Sequence, residues 1–160
     1  MAGFLDDINE WMGLAQTDLI TEYDRQGLRA SGRFADELES DIKKNGTRYI
    51  VRMMGARHSE FMENGRRPNR TKSPEEAKKL YPAILQWIQD KNLNFSNGHA
   101  FAICLKIVYE GITVPNKFNP GGVVSNVVTR NRIDLLLQKI GFTLQDQIKS
   151  DTIRRFKNGQ

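Results

Sequence analysis

One stretch of this chain departs from the helical spacing that governs the rest. Between Thr47 and Gly55, the residues Tyr49, Ile50, Val51, Met53 and Met54 follow one another with only Arg52 interrupting. β-branched and aromatic side chains in such a run favour extended backbone. Apolar groups fall on both faces, which predicts a strand inside a sheet or under helices. Ala56 to Asn64 then reads as a short helix with Phe61 and Met62 buried. Gly65-Arg66-Arg67-Pro68-Asn69-Arg70-Thr71-Lys72 reads as a basic loop. One strand set among helical patterns predicts a mostly helical chain with a little β structure.

The flanking segments supply the helices. Phe4, Leu5, Ile8, Trp11 and Met12 share one helical face, and Gly13 is expected to end that element. A second helix is expected from Thr17-Asp18, with Leu19, Ile20 and Tyr23 on one side. Gly27 and Gly32 weaken its continuation. Phe34, Ala35, Leu38 and Ile42 resume the helical period up to Asn45-Gly46. Ser73-Pro74-Glu75-Glu76 has the pattern of a capped helix start, with Ser73 as cap, Pro74 in the first turn and Glu76 closing a capping box. Pro82 predicts a break near Tyr81, followed by a helix carrying Ile84, Leu85, Trp87 and Ile88. Ser96-Asn97-Gly98 opens another helix, whose buried face holds Phe101, Ile103, Cys104, Ile107 and Val108, and Gly111 ends it. Thr113 to Gly122 is a loop. Val123 to Ile140 is expected to be helical, with a strand at Val123-Val124 and Val127-Val128 as the alternative. Gly141 is expected to stop it and Thr143 to cap a last helix. The resulting organisation is an N-terminal helical arm over residues 1–27 and a single α+β domain with C-terminal helices over 28–160.

Composition narrows the class. In 160 residues a core forms without staples, and a chain of this size typically buries roughly 70% of its unfolded surface. Cys104 is the lone cysteine, so an internal disulfide or a thiolate zinc site is excluded, and a reducing compartment is expected. The first residues show no signal-peptide pattern, and no apolar run approaches the roughly 20 residues of a membrane span.

The net charge of +5 is polarised. Residues 1–45 hold ten acids and five bases, and the remainder holds nine acids and nineteen bases. Such asymmetry suits a nucleic-acid surface, the docking of one subunit's acidic part on a neighbour's basic part, or two solvated faces.

Catalytic patterns are missing from the sequence. His58 and His99 are the only histidines, and His58 with Glu60 and Glu63 does not match metal-ligand spacing. Cys104 lies on an apolar helical face, where a thiol behaves as a small hydrophobe. Gly121-Gly122 runs into valines rather than the Lys-Ser/Thr of a phosphate loop. No cofactor is implied. Arg66, Arg67, Arg70 and Lys72 are the strongest nucleic-acid candidates, since clustered cations clamp phosphates. The loop carries no aromatic for base stacking, so inter-subunit ion pairing suits it equally.

The order of several short motifs adds a family likeness. Ser31-Gly32-Arg33-Phe34-Ala35 with Leu38-Glu39 resembles the small-Gly-x-Phe/Leu helix start of tail-completion (neck) proteins of tailed bacteriophages. The strand at Tyr49–Met54, then Phe61-Met62-Glu63-Asn64-Gly65-Arg66, is similar to the strand and aromatic-x-Glu-x-Gly stretch that follow in that group. Trp87-Ile88 with Lys91, Ala100-Phe101-Ala102-Ile103, Lys106-Ile107 and Glu110-Gly111 look like its continuation. The likeness spans about residues 28–114 and leaves 1–27 and 115–160 uncovered. It implies a tail-completion-like α+β subunit of the virion, without enzymatic activity, that forms a homo-oligomeric ring at the head–tail junction. Its implied partners are its own copies, the portal-side connector and tail proteins, with double-stranded DNA passing through without sequence recognition. The residues assigned to the subunit interface or the DNA-facing side are Glu63, Arg66, Arg67, Arg70 and Lys72. Ring contacts are head-to-tail, so two different patches must be complementary. The acids of residues 1–45 against the basic loop are one way to supply them.

Overall fold

A computed structural model describes residues 3–46, 48–55 and 59–157. The expected helix at Ala56 and the reading of His58 fall partly outside these residues, as does the start of the expected strand at Thr47. In chain order the elements are α1 (Phe4–Arg25), α2 (Arg33–Asp36), β1 (Glu39–Asn45), β2 (Arg48–Met54), α3 (Ser59–Asn64), α4 (Pro74–Asp90), α5 (Asn97–Glu110) and α6 (Arg130–Lys157). The protein is mostly helical, with one small antiparallel sheet, and is therefore α+β.

α1 runs straight through Gly13. The reason is burial: Ile8, Met12, Ala15, Leu19 and Tyr23 recur at steps of three and four and all lie inside. Keeping these groups in one register outweighs the roughly 1 kcal/mol that a mid-helix glycine costs, since each large apolar side chain buried contributes about 1.5–3 kcal/mol. The segment set apart as an arm is thus a core helix. Leu19 and Tyr23 join Phe34, Val123 and Val127 in the central cluster, with Leu28, Leu38, Met53, Met62 and Val128 packed around them.

The segment from Leu38 to Ile42, expected to be helical, becomes β1 beyond Leu38. It pairs antiparallel with β2 from Glu39↔Met54 to Asn45↔Arg48, turning at Gly46. Among the described residues β2 pairs with β1 alone, and it is exposed at every position except Met53. The expectation of a strand buried on both faces fails. One face of the hairpin meets α1, where the Phe4 and Tyr49 rings touch edge to face at 5.1 Å, and the other faces outward. Phe61 in α3 is 43% exposed rather than buried, while Met62 packs on the central cluster.

α4 begins where the sequence places it. The Ser73 hydroxyl accepts the Glu76 N–H at 3.3 Å. The reciprocal half of the capping box is not made, because the Glu76 carboxylate serves Asn69 at 3.4 Å and Lys79 instead. α4 passes through Pro82 without ending at Tyr81. Tyr81 and Ile84, on either side of the proline, pack on the cluster of Ala77, Cys104 and Val108 between α4 and α5, so a break would lose that contact. α5 is capped by Ser96 and closes at Gly111, as the sequence indicates.

Val123–Val128 is neither helix nor strand. It is a hydrogen-bonded turn in which Asn126 donates to Gly122 and Val128 to Val124. Its two inward valines, Val123 and Val127, belong to the central cluster. α6 starts only at Arg130 and continues through Gly141 as one helix of 28 residues. It lies antiparallel to α1: the Trp11 indole donates to the Arg132 carbonyl, Lys139 meets Glu10, and the Thr143 hydroxyl donates to Asp7 at 2.6 Å. Thr143 is therefore an inter-helix tie and not a cap.

The accessible surface is 11535 Å². A folded monomer of 18.3 kDa typically exposes about 8100 Å², and its unfolded chain about 26500 Å². The fold thus buries about 57% of its unfolded surface, short of the 70% expected from size alone.

Candidate interface

Glu63 sits at the end of α3 and its carboxylate reaches the 123–128 turn. It accepts the Val124 N–H at 3.0 Å, the Ser125 N–H at 3.2 Å and the Ser125 hydroxyl at 2.6 Å. Desolvation works against its charge, but the three hydrogen bonds together outweigh it, so the carboxyl titrates below the usual glutamate range. From the other side, Glu22 accepts from Asn126 at 3.2 Å, and its pKa is lowered to about 2 by Arg25 first, then Gln26 and Asn126. Two carboxylates on separate elements therefore hold one turn in place.

The basic loop divides into two kinds of residue. Arg66 exchanges both backbone hydrogen bonds with Ile112, at 2.8 and 2.7 Å, and its guanidinium donates to Asn69 at 2.9 Å. Asn69 in turn donates its N–H to the Val108 carbonyl at 2.9 Å. The loop is thereby clipped to the end of α5. Two glycines make that crossing possible. Gly65 has φ +72° and Gly111 φ +81°, and a Cβ on either would overlap a backbone carbonyl oxygen, that of Ile112 or of Arg66. Arg67, Arg70 and Lys72 are exposed and form no ion pair among the described residues. Of the five residues singled out in the sequence, Glu63 and Arg66 are bound into the fold. Arg67, Arg70 and Lys72 are free to meet a partner. No ion pair joins Glu63 to the four cations.

The acidic third is also largely spent within the chain. Lys139 meets Glu10 at 2.7 Å and Asp7 at 3.3 Å. Arg132 meets Asp18 at 2.6 Å, Arg25 meets Glu22 and Arg29 meets Asp24. Asp7 is held below the usual aspartate range by the Thr143 hydroxyl first, with Lys139 adding to the effect against desolvation. Glu37 and Glu39 remain exposed and form no ion pair among the described residues, and the exposed Asp36 adds its charge to the field around Arg29.

The larger interaction surfaces are apolar, and the sequence reading missed them. α6 buries none of its residues. At about 100° per residue, Arg132, Leu136, Lys139, Thr143 and Gln147 fall on the arc toward α1. Ile133, Leu137, Leu144 and Ile148 lie about a quarter turn to one side, and Leu135, Phe142 and Ile153 about a quarter turn to the other. All seven are exposed. Between α1 and the hairpin lies an open groove of about 450 Å³, lined by Leu5, Asn9, Met12, Ser40, Ile42, Lys44 and Tyr49. The single continuous helix is what turns the α6 residues outward.

Among the described residues no helix is long and apolar enough to cross a membrane, and no group of three or more His, Cys, Asp or Glu side chains is placed to hold a metal. No family model, no curated protein and no solved structure matches this chain.

Proposed function

We propose that the chain is a non-catalytic structural subunit of a tailed-bacteriophage virion, acting as one member of a ring in the neck, where tail completion joins head to tail. One observation carries the assembly part of this reading: the 11535 Å² of exposed surface, about 3400 Å² beyond the norm for a monomer of this mass. A standard interface covers about 800 Å² on each partner, so a ring member with two joints covers about 1600 Å². The excess accommodates both joints and a further contact along the axis. Exposed Leu135, Leu137, Phe142, Ile148 and Phe156 give that surface the apolar character that marks interaction sites. The placement in a phage neck rests on the ordered motifs from Ser31 to Gly111. Light scattering and electron microscopy of the purified chain, alone and with its connector, are expected to show ring-sized particles. A chain that stays monomeric and never enters virions sinks the proposal.

A second reading, a small basic DNA-binding protein, is favoured by one observation. Arg67, Arg70 and Lys72 are exposed and unpaired on a clipped loop. Polarisation titrations with duplex DNA test it. A slope of log K against log salt that drops by about 0.9 for each of these cations removed supports DNA contact. No binding at about 50 mM salt eliminates it.

A further inference from the structure

We propose that α6 pairs with α6 of a second copy, antiparallel, about a two-fold axis between Ile140 and Gly141. The inference does not rest on the ring reading. A two-fold contact joins the same patch on both copies, whereas ring joints are head-to-tail.

The spacing of the exposed apolar residues selects the occupant. Ile133, Leu137, Leu144 and Ile148 are all exposed, and α6 buries none of its residues. Their steps of four, seven and four read the same from either end of the helix. At about 100° per residue all four fall within an arc of about 60°, and an eleven-residue step drifts by only about 20°. The stripe is therefore nearly straight and about 22 Å long, and it lies to the side of the arc that meets α1.

Turned end for end about Ile140–Gly141, this stripe fits itself. Ile133 falls opposite Ile148 of the second copy and Leu137 opposite Leu144, each pair occurring twice. At the centre, the half-buried Ile140 of one copy lies over Gly141 of the other. A Cβ built on Gly141 meets nothing within 4 Å in its own chain. A glycine inside a helix weakens that helix. Here the missing side chain leaves room for a second helix to come close.

Charge fits the same register. Continuing outward, Arg130 falls opposite Asp151 of the second copy at both ends of the joint. Arg130 is 94% exposed, and within its own chain it meets only its helical neighbour Asp134, at 3.9 Å. Asp151 is likewise exposed and meets Arg154, also on α6, at 3.0 Å. Asp134, at the margin of the seam, faces the neutral Gln147. A parallel pairing would instead set Arg130 against Arg130 and Asp151 against Asp151. Opposite charges at a rim fix orientation and discourage wrong pairings. The other exposed flank of α6, with Leu135, Phe142 and Ile153, has steps of seven and eleven and lacks this symmetry.

Sedimentation equilibrium of the full chain tests the joint. The wild-type chain is expected to dimerise. Leu137→Asp puts a charge into the seam at an exposed site and is expected to weaken the dimer at least tenfold, with far-UV circular dichroism verifying that the variant folds. Two charge variants test the register and leave the apolar stripe untouched. Arg130→Asp alone and Asp151→Arg alone set like charges against each other at both ends, and each is expected to weaken self-association several-fold. Mixing the two restores opposite charges at both ends, so the mixture is expected to dimerise more tightly than either component. The double variant Arg130→Asp/Asp151→Arg is expected to recover the wild-type affinity. A wild-type chain that stays monomeric overturns the pairing, as does association that Leu137→Asp leaves intact. A mixture that associates no better than its components overturns it too. Rings that survive Leu137→Asp keep the ring reading and remove this contact. Dimers that vanish with Leu137→Asp, follow the charge swap and never grow to rings do the reverse.

Discussion

The Ser125 hydroxyl donates to Oε1 of Glu63 at 2.6 Å, across 62 residues of sequence. With the two backbone N–H groups beside it, this contact anchors the turn that delivers Val123 and Val127 to the core. Glu63→Gln keeps the shape and removes the charge. Charge-assisted hydrogen bonds are worth about twice neutral ones, so the variant is expected to lose about 1 kcal/mol at pH 7. The folded carboxyl titrates below its unfolded value, so its contribution is full above the usual glutamate pKa and is lost as pH falls through the folded value. Urea unfolding of both proteins at pH 7 and pH 3 checks this. The gap should narrow at pH 3, and an unchanged gap would rule out charge as its source.

Glu22 predicts the acid limb of the stability curve. Its folded pKa of about 2, against an ordinary 4.5, places its share of stability above pH 4.5 and its loss between there and pH 2. Glu22→Gln should therefore flatten the fall in melting temperature across that window and leave the neutral slope unchanged. A scan of melting temperature against pH on both proteins reads this directly.

The glycines divide by geometry, and alanine substitution should show it. Gly65→Ala combines a left-handed φ with overlap on the Ile112 carbonyl and is expected to cost about 3 kcal/mol. Gly13 and Gly141 lie inside helices with nothing within 4 Å of a built Cβ. Gly13→Ala and Gly141→Ala should each stabilise by about 0.5–1 kcal/mol. Equilibrium unfolding of the three variants ranks them, and a harmless Gly65→Ala would refute the crossing geometry.

Cys104 is 0% exposed, and burial pushes its thiol up. A buried, protonated thiol is a poor nucleophile. It should react with a disulfide reagent only through opening of the α4–α5 pair, at a rate that rises with sublethal urea. Prompt reaction in native buffer would contradict the packing.

Where helix begins was partly legible in the sequence, and the number and lengths of the helices were not. Ser73, Ser96 and Gly111 announced their boundaries because caps act locally. Gly13, Pro82 and Gly141 were read as stops, and each was overridden by contacts made elsewhere in the chain: the α1 stripe, the α4–α5 cluster and the ties to α1. β1 was missed because Glu39–Asn45 carries one apolar residue, Ile42, and owes its form to pairing with β2. Of the interface, the free cations Arg67, Arg70 and Lys72 were visible in the loop. The inward roles of Glu63 and Arg66 were not, since both depend on partners 46 to 62 residues away. The exposed apolar residues of α6 were hidden because two helices were expected where one continuous helix runs from Arg130 to Lys157.

The paired hydrogen bonds between Arg66 and Ile112 have a topological consequence. The segment from Arg67 to Gly111 leaves and re-enters the body of the protein at this crossing, carries its own small core around Ala77, Cys104 and Val108, and is tied back a second time where Lys91 donates to the Gly27 carbonyl at 2.6 Å. A segment whose two ends meet at one crossing is an insert, and only the Lys91 contact with Gly27 limits how its length can change without altering the path of the chain on either side. The helical pair α4–α5 is thus the part of this molecule most open to exchange, and the loop from Arg67 to Lys72 is its threshold.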